Sequence, residues 1–214
     1  MRKEAPIIRI RSAWLLRANA SYHLNQLWGD GSPLRSDEEY GKIAKSYSLA
    51  WLPYESRILN GLSKTLGLNF RQNIIDVHIA PWFSAFSEPL VIGVAYKPDE
   101  FIDILTHELI HKLLTDNTLL EIDSPLIPEW EKLFGKNNSF GALVHIPVHA
   151  VLKYIFIDIL KQPERLKRDI EMSKKNNATD YIAAWDYIEK NDYLKIIKDL
   201  KESYIKLAAN NDKR

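Results

Sequence analysis

The sequence predicts an α+β fold rich in helix, with a small sheet directly ahead of one helix of distinctive chemistry. Three observations carry this reading. Residues 74–80 (IIDVHIA) and 90–96 (LVIGVAY) are short apolar runs closed by Pro81 and Pro98, as strands are. Most of the remaining chain repeats its apolar residues every three or four positions, the period of a helix. The stretch PDEFIDILTHELIHKLLTDN follows the second strand at once and holds His107-Glu108-Leu109-Ile110-His111.

The totals bound the function. The chain has 214 residues, of which 46% are hydrophobic and 27% charged, which suits one globular domain with a sizeable core. We expect a single domain over 1–214: N-terminal helices (1–70), strands and two histidine-bearing helices (71–161), C-terminal helices (162–209) and a polar tail (210–214). The net charge of +1 gives no general attraction to nucleic acid or anionic membrane. No cysteine is present, so neither disulfides nor thiolate ligands enter. The basic start, MRKEAPIIRIRSAWLLRAN, has no unbroken apolar stretch and no small-residue cleavage site, so no signal peptide is expected. The run from Val148 to Leu160 carries His149, Lys153 and Asp158 and is too short to span a bilayer. A cytoplasmic protein with neither a membrane nor a nucleic-acid partner is the expectation; the oligomeric state is not legible.

In order along the chain, residues 7–28 are expected to be mainly helical, with Trp14, Leu15, Leu16, Leu24 and Leu27 as core. Gly29-Asp30-Gly31-Ser32-Pro33 reads as a turn. Ser36 followed by Asp37, Glu38 and Glu39 reads as a helix start, with acids near the positive end of the dipole. That helix is expected to reach about Leu66, with Pro53 as a possible break, and to bury Tyr47, Trp51 and Tyr54. Two strands are marginal alone, so 74–80 and 90–96 must pair with a further strand or lie on helices. His78 in the first is expected to be a hydrogen-bonded strand histidine. A short helix is expected over Ile127–Phe134, then a long apolar one through GALVHIPVHAVLKYIFIDILKQ. Helices from Glu164 to about Lys175, Asp180 to Lys190 and Tyr193 to Ala209 follow, with Thr179 as a cap. The basic run KRDIEMSKK reads as a solvated face.

The motif has a mechanical reason. Residues i and i+4 share a helix face, so His107 and His111 can grip one ion. Glu108 lies beside them, placed to take a proton from water activated by that ion. At 100° per residue, Ile104, His107, Glu108 and His111 fall in one sector, while Ile102, Leu105, Leu109, Ile110 and Leu113 face a core. Asp99 is expected to cap the helix and Asn117 to stop it. With no thiolate available, nitrogen and oxygen ligands favour a catalytic Zn2+.

A strand running straight into an HExxH helix resembles the zincin metallopeptidases, and more narrowly the compact gluzincin type. The resemblance covers residues 74–161. It implies a zinc-dependent peptidase acting on peptide or protein, with Glu108 as general base. It also implies an edge strand, here Gly93-Val94-Ala95-Tyr96, that pairs with extended substrate.

The third ligand is the open position. Gluzincins take a glutamate about twenty residues beyond the motif, where this chain has Glu129 and Glu131. The alternative is a second i, i+4 histidine pair, His145 and His149. Helix packing would bring one of these to the metal, with His149 preferred as ligand and His145 as the catalytic stabiliser of the oxyanion. Asp103 and Asp158 are candidates to hold the far nitrogens of the ligands, and Tyr181 and Tyr187 to support the oxyanion. Two rival functions remain: a zincin-shaped regulatory module without proteolysis, and a hydrolase of non-protein amides. Peptide deformylases share HExxH but use a cysteine ligand, which is absent.

Overall fold

A computed structural model describes residues 5–19, 35–81, 85–117 and 126–211. It is α+β and helix-rich, with one four-stranded sheet among the described residues. The strands are β1 (Ile7–Ser12), β2 (Ile74–Ala80), β3 (Phe86–Ser87) and β4 (Leu90–Gly93). The helices are α1 (Asp37–Leu66), α2 (Pro98–Asp116), α3 (Leu126–Phe134), α4 (Phe140–Tyr154), α5 (Pro163–Lys175), α6 (Thr179–Lys190) and α7 (Tyr193–Asn211). Residues 14–19 are also helical. The chain divides into two compact units, Met1–Ser56 with Gln72–Leu109, and Arg57–Arg71 with Ile110–Arg214.

In the first unit the strands lie in the order β1-β2-β4-β3, with β1, β2 and β4 parallel and β3 antiparallel to β4. The expectation of helix from residue 7 is corrected here: Ile7–Ser12 is a strand. IIRIRS alternates apolar and polar residues, and Arg9 sits opposite Asp76 in the parallel register. The Arg9 guanidinium grips that carboxylate with two contacts of 2.9 Å, a cross-strand pairing of opposite charges. Trp14 and Leu15 are corrected too, being 68% and 72% exposed rather than core. Leu24, Leu27 and the 29–33 turn lie outside the described residues.

Helix α1 starts with a reciprocal capping box. The Ser36 hydroxyl accepts from the Glu39 amide, and the Glu39 carboxylate accepts from the Ser36 amide. The helix passes Pro53 without ending. Its Tyr47 stacks on Phe101 with ring centres 4.1 Å apart. The Tyr47 hydroxyl donates to the Tyr96 carbonyl at 2.7 Å, which pins the turn leading into α2. Strand β4 ends at Gly93, and 94–95 turn, so the second strand is shorter than expected. β3 pairs only with Leu90 and Val91 of β4, and of Gly93–Tyr96, the expected substrate-pairing edge, only Gly93 is in a strand. A two-residue strand is too short to show a period, which is why the sequence hid it.

Helix α2 begins at Pro98, one residue before the expected cap Asp99, and the Glu100 carboxylate reaches back to the Lys97 amide at 2.8 Å. Asn117 closes the helix, its side chain donating to the Leu113 carbonyl.

The second unit is built around α4, which packs on α6 and α7. Pro147 lies inside α4, and the helix continues through a π turn, Ile155–Ile159. Gly61 of α1 is tight against this turn, with Ile155 Cδ1 2.9 Å from where a β-carbon would stand. Phe140–Ile159 is one apolar run, and its 18-residue window of mean hydropathy 1.6 is 61% buried in the fold. Thr179 opens α6 as its first residue, and Ala178 holds the cap position.

Candidate metal centre

Helix α2 is continuous from Pro98 to Asp116, so His107 and His111 are fixed one turn apart on it. Leu105, Leu109, Ile110 and Leu113 are fully buried on the expected apolar side. The chemical face is also covered: His107 is 4% and Glu108 6% exposed. His111, at the far end of the motif, is partly exposed.

His145 stands in the second turn of α4. Its ring meets His111 edge-on, with centres 5.1 Å apart. One ligand atom from each of His107, His111 and His145 falls within 4.8 Å of the other two, a spacing that suits a shared ion. The metal-sized group includes His145 and not His149, the histidine preferred as third ligand from the sequence. His149 is fully buried one turn further along α4, lying flat on Trp185 at 4.1 Å and 12°. The Trp185 indole N–H donates to the buried Asp169 carboxylate at 3.0 Å. His149 is thus part of a packed aromatic wall.

Tyr181 of α6 covers His145, with ring centres 4.0 Å apart, so of the two tyrosines considered it is the one beside the histidines. Tyr187 instead meets Phe134 edge-on. Glu129 pairs with Lys132 at 2.9 Å, and among the described residues neither Glu129 nor Glu131 belongs to the metal-sized group. Asp158 accepts from the Tyr193 hydroxyl at 2.7 Å rather than from a ligand histidine. Asp103 is buried one turn before His107. The His78 Nδ1 is buried with no hydrogen-bond partner among the described residues.

Burial sets the charge state. It holds His111 down to about 3, helped by the neighbouring His145. Burial also holds His149 well below its ordinary value, with smaller contributions from His145 and His111. His145 is lowered by burial, against opposing help from the Gly141 carbonyl and the Asp180 charge. Without an ion, Glu108 is pushed up to about 8 by burial. Burial thus favours the neutral imidazole at His111 and His145, leaving lone pairs available, beside a carboxyl that burial alone raises. That donor set fits a divalent ion that favours nitrogen ligands.

Sequence reasoning missed Trp185, Asp169, Ser139, Gly141 and Asp180. None carries a recognisable spacing relative to the motif: Ser139 and Gly141 stand at the start of α4, Asp169 on α5, and Asp180 and Trp185 on α6. Compared with known protein families, curated proteins and solved structures, the chain matches none.

Proposed function

We propose that the protein is a zinc-dependent hydrolase of peptide bonds, of the zincin type. The observation that supports it most is the convergence of His107, His111 and His145 beside a buried Glu108. Zinc held by three histidines supplies a Lewis acid and brings the pKa of water to about 7. His107, His111 and His145 would hold the ion. Glu108 is the general base: its carboxylate takes the proton of the attacking water and delivers it to the leaving amine. A carboxylate raised by burial gains most when a cation arrives, so ion and base are matched. Tyr181, lying on His145, is the phenol assigned to the developing oxyanion.

The test uses zinc-loaded protein with a mixed peptide library read by mass spectrometry. Chelator-sensitive cleavage is expected, with Glu108→Gln keeping zinc and losing nearly all turnover. Unchanged turnover in Glu108→Gln would remove the base from the scheme. A chelator that lowers only the melting temperature, with no peptide cut, would leave the ion a structural role or point to a non-peptide amide.

A further inference from the structure

The third ligand is held by a device that begins on a different helix. Gly141 and His145 are one turn apart on α4, and the His145 Nδ1 lies 2.7 Å from the Gly141 carbonyl. A carbonyl oxygen can only accept, so Nδ1 carries the proton and Nε2 carries the lone pair. This selects Nε2 as the atom offered to the ion. The Gly141 carbonyl is in turn placed by the first turn of α4. Ser139 caps that turn, its hydroxyl oxygen accepting from the Ala142 amide at 3.2 Å. The same hydroxyl donates to the Asp180 carboxylate of α6 at 2.6 Å.

Position 141 must be glycine for this to close. A β-carbon there would fall on the Asp180 carboxylate, which is not free to leave while it accepts from Ser139. Glycine is otherwise a poor choice in a helix, costing about 1 kcal/mol against alanine. Its presence is explained by the close approach of α6. We infer that Asp180, acting through Ser139 and the Gly141 carbonyl, is a positioning residue that fixes the tautomer and aim of His145 for metal binding. This rests on the reading of His107, His111 and His145 as ligands.

The probe is Co2+ alone, titrated into the metal-free full-length protein, with affinity and the visible absorption of the bound ion as readouts. Asp180→Ala is expected to weaken Co2+ by roughly 10- to 100-fold, the usual effect of losing an outer partner of a ligand, and to change the visible band. In a His145→Ala background the same substitution is expected to change nothing further. An equal effect with and without His145, or wild-type affinity in Asp180→Ala, overturns the positioning role while leaving the site intact. Failure of the wild type to bind one equivalent of Co2+ overturns the site itself. Ser139→Ala breaks the same link without touching Asp180 and serves if Asp180→Ala does not fold. Ser139→Thr, which keeps the hydroxyl, should then restore affinity; no restoration counts against the link.

Discussion

Replacing Glu108 by glutamine should reshape the pH dependence of stability in the metal-free protein. Burial raises Glu108 to about 8 from an ordinary 4.5. Between these values the folded state keeps a proton that the unfolded chain has released. Stability therefore falls as pH rises, by about 1.4 kcal/mol per pH unit. The histidines run the other way. His111 is held down to about 3 from 6.5, and His145 and His149 are also lowered. Below pH 6.5 the unfolded chain takes up protons that the folded state refuses, so stability falls toward acid. Over 4.5–6.5, His111 alone offsets Glu108, and the other two histidines tip the balance. The metal-free wild type should thus be most stable near pH 6.5 and lose about 2 kcal/mol between 6.5 and 8.

In Glu108→Gln that alkaline decline should vanish, and the acid limb should steepen by about 1.4 kcal/mol per unit between 4.5 and 6.5. Urea unfolding in chelator, at half-unit steps from pH 5 to 8.5, measures both limbs. A variant that keeps the wild-type decline above pH 6.5 would show that Glu108 is not the buried carboxyl responsible. Saturating zinc should flatten the same limb in the wild type, because the ion's charge favours the carboxylate.

Other substitutions separate binding from packing. His145→Ala should weaken zinc by more than the roughly 100-fold that an outer-partner change reaches, as measured by competition with a chelator. Trp185→Phe removes the indole N–H from the buried Asp169 carboxylate and should cost about 1–3 kcal/mol in urea unfolding, with little change in zinc affinity. Tyr204→Phe removes a 2.9 Å bond to the Leu114 carbonyl and should cost about 1 kcal/mol by the same assay.

Local features of the chain were readable and distant pairings were not. The apolar face of α2 followed from a helical period alone, and the Ser36–Glu39 box from two residues three apart. β1 was misread although IIRIRS alternates, because Asp76, the partner of Arg9, lies 67 positions away and residues 14–19 are helical. The motif histidines were legible because one helix fixes their spacing. Which histidine joins them in the metal-sized group was not, since His145 and His149 stand one turn apart on the same helix. What separates them is α6, which sets Tyr181 over one and Trp185 under the other. No periodicity encodes that choice.

The division between His145 and His149 has its own consequence. His149 is fully buried and stacks on Trp185, whose N–H is engaged by Asp169. Phenylalanine at position 149 keeps a ring to stack and removes both nitrogens. His149→Phe should therefore bind zinc within about threefold of wild type, far from the loss expected of a ligand. It should also shallow the acid limb of metal-free stability, since a group that resists protonation below pH 6.5 is gone. A slightly larger ring shifts stability by a constant amount, whereas the titration term changes with pH, so unfolding at pH 7 and pH 5 separates them. A fall in zinc affinity as deep as that of His145→Ala would instead make His149 a ligand. The wall of Tyr181 and Trp185 would then have to open when the ion binds.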